Sequence, residues 1–113
     1  MSEQREANII QYLIHPEIRG SVKSYLESWM FQKDLYRSLV EVIFNLQFDG
    51  NELTSSVIKM GIEASSKKYN KEDYDRIDLI FNTYRPPIDS DRKFIIGIIS
   101  DFIKEKLFWR GTD

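Results

Sequence analysis

The chain has 113 residues, of which 42% are apolar and 30% charged, with no cysteine and a formal charge of −2. That length is close to one domain, and such a chain buries roughly two thirds of the surface its unfolded form exposes without help from a metal or a disulfide. The composition excludes a disordered chain and any disulfide framework, thiol nucleophile or cysteine zinc site; residues 1–50 carry 5 basic and 7 acidic side chains and residues 51–113 carry 11 of each, so neither half is the basic arm that unspecific nucleic-acid binding draws on.

Helical spacing governs most of the chain. The first helix is predicted over roughly residues 3–14, with Ser2 as N-cap, Glu3 and Glu6 at the positive end of the dipole, and a stripe of Ile9, Ile10, Leu13 and Ile14. Pro16 ends it and suits the first turn of the next. Ile18, Val22, Tyr25, Leu26 and Trp29 then share one helix face, and Leu35, Leu39, Val42, Ile43 and Leu46 repeat the pattern on a rotated face. No Gly or Pro lies between Gly20 and Gly50. Residues 16–47 therefore read as one long curved helix, or as two that break near Met30 to Lys33.

Asp49-Gly50 is turn chemistry. Asn51 or Thr54 caps the following helix, whose stripe (Leu53, Val57, Met60, Gly61, Ala64) is thin enough to predict a close neighbour or partial exposure. Asn70 caps the next, with Glu72 and Asp73 in its first turn and Tyr74, Ile77, Ile80, Phe81 and Tyr84 as its stripe. Pro86-Pro87 stops it.

Asp89 or Ser90 caps the last helix. It contains FIIGIISDFIKEKLFW, residues 94–109, the most apolar stretch of the chain. Phe94, Ile95, Ile98, Ile99, Phe102 and Ile103 form its stripe, and Ile96 widens it nearly all round. Such a helix belongs at the centre of a bundle. A strand over KFIIGII is the competing reading of the isoleucines, but SDFIKEKL continues the helical spacing. A bilayer span needs about 20 apolar residues; Arg92, Lys93, Asp101, Lys104, Glu105 and Lys106 interrupt this one. The expected architecture is a single all-α domain over residues 1–113, a compact bundle of five or six helices with the C-terminal helix central. The polar start MSEQREANII does not read as a signal peptide. With the lack of cysteine, this gives the expectation of a cytoplasmic protein that does not enter a membrane.

Catalytic chemistry finds little support. His15 is the only histidine, stands beside Pro16, and reads as an exposed or capping imidazole rather than a base. Glu72, Asp73, Asp75 and Asp78 offer carboxylates at i, i+3 spacing that suit Mg²⁺. Acidic residues also collect at a helix start for its dipole, and Lys71 and Arg76 are interleaved. FDGNE lacks the alternating oxygens of a calcium loop. There is no phosphate loop, dinucleotide fingerprint, nucleophile elbow or helical zinc pair. The expectation is a protein that is not an enzyme and takes no cofactor or metal.

Two aromatic groups carry the sharper hint. Trp29, Met30 and Phe31 are consecutive, as are Leu107, Phe108 and Trp109, and one helix stripe cannot bury three successive bulky residues. Either these groups fold over the domain's own core or they form a contact surface, for which Trp, Phe and Met are enriched. The leading expectation is a regulator, adaptor, inhibitor or immunity-type factor that binds another protein, or itself, through Trp29, Phe31, Phe108 and Trp109, with Arg110 at the rim. The alternative is a dimeric nucleic-acid-binding regulator. It would use a helix-turn-helix with Gly61 at the turn and Lys59, Lys67, Lys68 and Lys71 toward phosphate.

Overall fold

The computed structural model describes residues 3–46, 53–65 and 67–111, excepting the side chains of residues 110 and 111. It contains six α-helices: α1 (Glu3–Tyr12), α2 (Pro16–Val22), α3 (Asp34–Asn45), α4 (Ser55–Ala64), α5 (Lys71–Asn82) and α6 (Asp89–Gly111), with a 3-10 turn over Ser28–Met30. Among the described residues there is no strand, and no helix is long and apolar enough to cross a membrane. The all-helical class and the number of helices agree with the sequence. Ser2, the Asp49-Gly50 turn and Asn51 lie outside the described residues.

Local signals set most helix ends. Pro16 opens α2, and the His15 imidazole accepts a hydrogen bond from the Glu17 N–H at 3.3 Å, so the lone histidine is a cap. Thr54 caps α4 and Asn70 caps α5 through their side-chain oxygens. Asp89 and Ser90, expected as caps, lie inside the first turn of α6.

The joint between α2 and α3 has no such signal. The chain leaves α2 after Val22 and resumes α-helix only at Asp34, with the 3-10 turn between, so the expected break is wider than Met30 to Lys33. One distant residue and one nearby hold it open. The buried Glu6 carboxylate accepts the Gln32 N–H at 3.1 and 3.2 Å, and Arg37 donates to the Phe31 carbonyl at 3.2 Å. One joint earlier, buried Arg19 donates to the Leu13 and Ile14 carbonyls at 3.0 and 3.1 Å. Carbonyls left open where α1 ends are thereby satisfied.

The core forms around α3 rather than α6. Seven of the twelve α3 residues are buried, among them Leu35, Tyr36, Leu39, Val40 and Ile43, and α3 touches α1, α4 and the 3-10 turn. The expectation of a central C-terminal helix is corrected here. α6 lies along one side, chiefly against α2, and buries one face: Ile95, Ile99, Phe102 and Ile103. Phe94, counted in that stripe from the sequence, is instead 70% exposed. An apolar residue can widen a helix's stripe without any neighbour being available to cover it.

α4 approaches α3 at Gly61. A Cβ added there would stand 2.5 Å from Val42 Cγ1, and a valine in a helix has little freedom to turn away. Gly61 thus marks a close approach, but the expected stripe is corrected otherwise: Met60 and Ala64 are exposed, and α4 buries Ile58 and Ile62, which that stripe omits. Gly61→Ala is expected to cost about 1–3 kcal/mol of stability by overpacking, with part of it recovered in the Gly61→Ala, Val42→Ala double variant. Urea denaturation of the three proteins measures this.

Candidate functional site

The surface of interest begins with how α6 is fastened. The Phe102 ring is fully buried and meets the Phe31 ring at 5.2 Å between centroids, tilted by 42°. The Arg5 guanidinium and the Lys106 ammonium lie 5.2 and 5.3 Å from the centre of the same ring, close enough for cation–π attraction. Arg5 also pairs with Glu105 at 2.8 Å, and Arg92 pairs with Glu17. Thus one face of α6 is held near both ends, to α1 and to α2.

The rest of the helix faces outward. Leu107, Phe108 and Trp109 are 48%, 68% and 62% exposed. Three successive residues span about 200° of a helix's circumference. A helix lying flat on a globule would bury one of them. Here all three stand clear, so the end of α6 runs past the core. The Phe108 and Trp109 rings meet edge to face at 6.5 Å. The sequence alternative, in which these aromatics fold back over the first helices, is not what the structure has.

The other residues expected in this surface divide. Phe31 is buried against Phe102 and belongs to the core, which corrects its assignment as an anchor. Trp29 is 39% exposed, and its ring N–H donates to the Glu27 carboxylate at 2.7 Å. The side chain of Arg110 lies outside the described residues. Phe94 and Leu107 were not among the anchors read from the sequence. Phe94 and Phe108 are two heptads apart on α6, which places them on one side, about 21 Å from each other. That spacing was legible; the absence of a neighbour over it was not.

The basic region is arranged differently from a helix-turn-helix. Gly61 sits within α4, not in a turn. Lys59 pairs with Asp78 at 2.7 Å, joining α4 to α5, and Lys67 reaches Asp34 at 3.4 Å; Lys68 and Lys71 are exposed. The segment before α5 is tied down by Tyr69, whose hydroxyl donates to Asp34 at 2.7 Å. Its single proton is then used, so Ser38 is the donor in the 2.6 Å contact with Tyr69. Asp34 is held below the ordinary carboxylate range chiefly by the Tyr69 hydroxyl and then by Lys67. Asp78 is held below it by hydrogen bonds from Lys59 and Ser55. Of the acidic residues on α5, Asp78 therefore serves a structural contact. Among the described residues no three acidic or histidine side chains are gathered as metal ligands.

A polar cleft of about 220 Å³ lies between α1 and α5. Its groups largely satisfy one another. Glu3 accepts from Arg76 and from the Tyr36 hydroxyl, while Gln11 donates to the Ile80 carbonyl at 2.7 Å and to Thr83 at 2.9 Å. Burial pushes the Tyr36 phenol up from its ordinary value. The cleft is a seam between helices, stitched by side chains.

Comparison with protein-family models, with curated proteins and with solved structures finds no match to this chain.

The carboxylate joint between α4 and α5 has a pH signature. A depressed folded-state pKa means that Asp78 contributes its stability above the ordinary aspartate value, about 3.9, and loses it as pH falls through the lower folded value. Asp78→Asn should therefore lower the urea midpoint at neutral pH and flatten its dependence on pH below about 4. Parallel urea titrations from neutral to acid pH check both effects.

Proposed function

We propose that this chain is a non-enzymatic helical protein that works by binding another protein, as a regulator, adaptor, inhibitor or immunity-type factor. The observation that supports it is the triplet Leu107, Phe108 and Trp109, held 48–68% exposed on three successive positions of a helix whose other face is anchored. Phe94 extends the apolar surface toward the start of the same helix.

The physical basis is the cost of leaving these rings in water. Burying a large apolar side chain is worth about 1.5–3 kcal/mol, and aromatic residues in a well-packed pocket are where binding energy concentrates. α6 presents them already ordered, so little conformational entropy remains to be lost on docking. Mechanistically the protein acts by steric occupation: Phe108 and Trp109 fill a pocket, and the neighbouring charges select the partner. Lys104, one turn before Phe108, is exposed at the edge of this surface. The compartment proposed with this reading is the cytoplasm, which a cysteine-free chain suits.

The test is affinity capture from the source cell with the wild-type chain and with a Phe108→Ser, Trp109→Ser variant, followed by titration of the recovered partner. The variant should bind at least about 100-fold more weakly. Its stability should change by no more than about 1 kcal/mol, because both rings are already in water. Phe31→Ala, by contrast, should cost about 3–5 kcal/mol as a core change. Equal partner recovery by the wild type and the double variant would sink the proposal.

A further inference from the structure

We propose that the outward face of α6 docks on the same face of a second copy of this chain, the two helices running antiparallel and crossing at Gly97. This rests on the reading of α6 as a docking helix and names its partner.

Gly97 is the first observation. It stands in the middle of α6 on the exposed side, and a Cβ placed there would meet no atom within 4 Å. Glycine inside a helix weakens it. At Gly61 the close approach of Val42 explains the residue. Within the fold no packed neighbour explains Gly97, as none explains Gly20 in α2; Gly97 differs in lying on the helix that carries the exposed aromatics, where an external helix seated against it would need the side chain to be absent.

Charge gives the second observation and the orientation. Lys93 and Asp101 stand four residues before and after Gly97, each about 6 Å away along the helix and on the same face. Both are exposed, and neither is ion-paired with a described residue of its own chain. A parallel pair of helices would set lysine on lysine and aspartate on aspartate. An antiparallel pair with a two-fold axis at Gly97 sets each Lys93 opposite Asp101 of the partner subunit, twice. Such an interface is self-complementary and closed.

Apolar exposure agrees with the same register. Ile88, immediately ahead of α6, is 66% exposed and stands nine residues before Gly97; Leu107 and Phe108 stand ten and eleven after it. Antiparallel pairing brings Ile88 level along the axis with Leu107 and Phe108 of the partner subunit; Phe108 lies within about 20° of the Gly97 direction, while Ile88 stands outside the helix. Phe94 comes opposite the small Ser100 of the partner subunit. Exposed apolar residues thus stand at both ends of the docking helix.

Sedimentation equilibrium of the full chain tests this. The wild type should show a reversible species of twice the 13.4 kDa chain mass. Gly97→Leu, which places its side chain in open space and keeps the fold, should weaken association by about tenfold or more. Lys93→Glu and Asp101→Lys should each weaken it by about tenfold, since each creates two like-charge contacts per dimer. Mixing those two variants should restore a heterodimer, because Glu then faces Lys on one side and Lys faces Asp on the other. A wild type that stays monomeric at every concentration overturns the proposal, as does a dimer indifferent to the charge reversals and their mixing. A monomeric wild type whose partner capture still depends on Phe108 and Trp109 overturns the second-copy assignment while leaving the aromatic docking surface standing.

Discussion

The seating of Phe102 is the contact on which the exposed surface depends. Its ring is shut in by Phe31 on one side and by the Arg5 and Lys106 side chains around it. Long cationic side chains cover apolar surface with their stems while their charges find water or partners, and here they close the gap over a phenyl ring. This fixes the rotation of α6 about its own axis. Once Phe102 points inward, Ile95, Ile99 and Ile103 follow it into the core, and Gly97, Asp101, Lys104 and Phe108 must point out. The ion pairs Arg92–Glu17 and Arg5–Glu105 hold the two ends in that setting. Both lie at the surface, where such pairs are individually weak, so they adjust a placement that the buried ring already determines.

Buried polar groups do the corresponding work at the chain reversals. Arg19 closes the end of α1, and Glu6 holds the Gln32 N–H ahead of α3. A backbone group left unpaired inside a protein costs about as much as a lost hydrogen bond, and here charged side chains supply the partners, Arg19 from five and six residues away and Glu6 from another helix. Such contacts are stronger than neutral ones. They also explain how a chain with no Gly or Pro between Gly20 and Gly50 is nevertheless interrupted. The stretch between α2 and α3 is irregular because Glu6 and Arg37 offer its backbone better partners than continued helix would.

The two aromatic triplets show how far the surface was legible. WMF and LFW each predict one bulky residue too many for a stripe, and both predictions describe a real excess. The sequence assigns no location to that excess. Phe31 entered the core because Phe102 was there to meet it. Phe108 stayed outside because none of the other described helices covers that side of the end of α6. The glycines divide in the same way. Gly61 and Gly97 are both mid-helix residues, and only the neighbour across the interface separates a packing glycine from an open one.

The sequence by itself determined the helical class, the cap at Asn70, Pro16 at the start of α2, and most members of the stripes of α1, α3, α5 and α6. These are local properties: apolar spacing of 3.6 residues, side-chain oxygens facing free N–H groups, and a ring that removes a donor. α5 ends at Asn82, ahead of Pro86-Pro87, and the buried Ile58 and Ile62 of α4 lie outside its expected stripe. Only the tertiary structure decided that α3 and not α6 is the most enclosed helix, where the chain breaks between α2 and α3, and which aromatics remain in water. Those outcomes depend on how much apolar surface the other helices have available to cover a given face. That quantity belongs to the assembled domain, and no window of residues contains it.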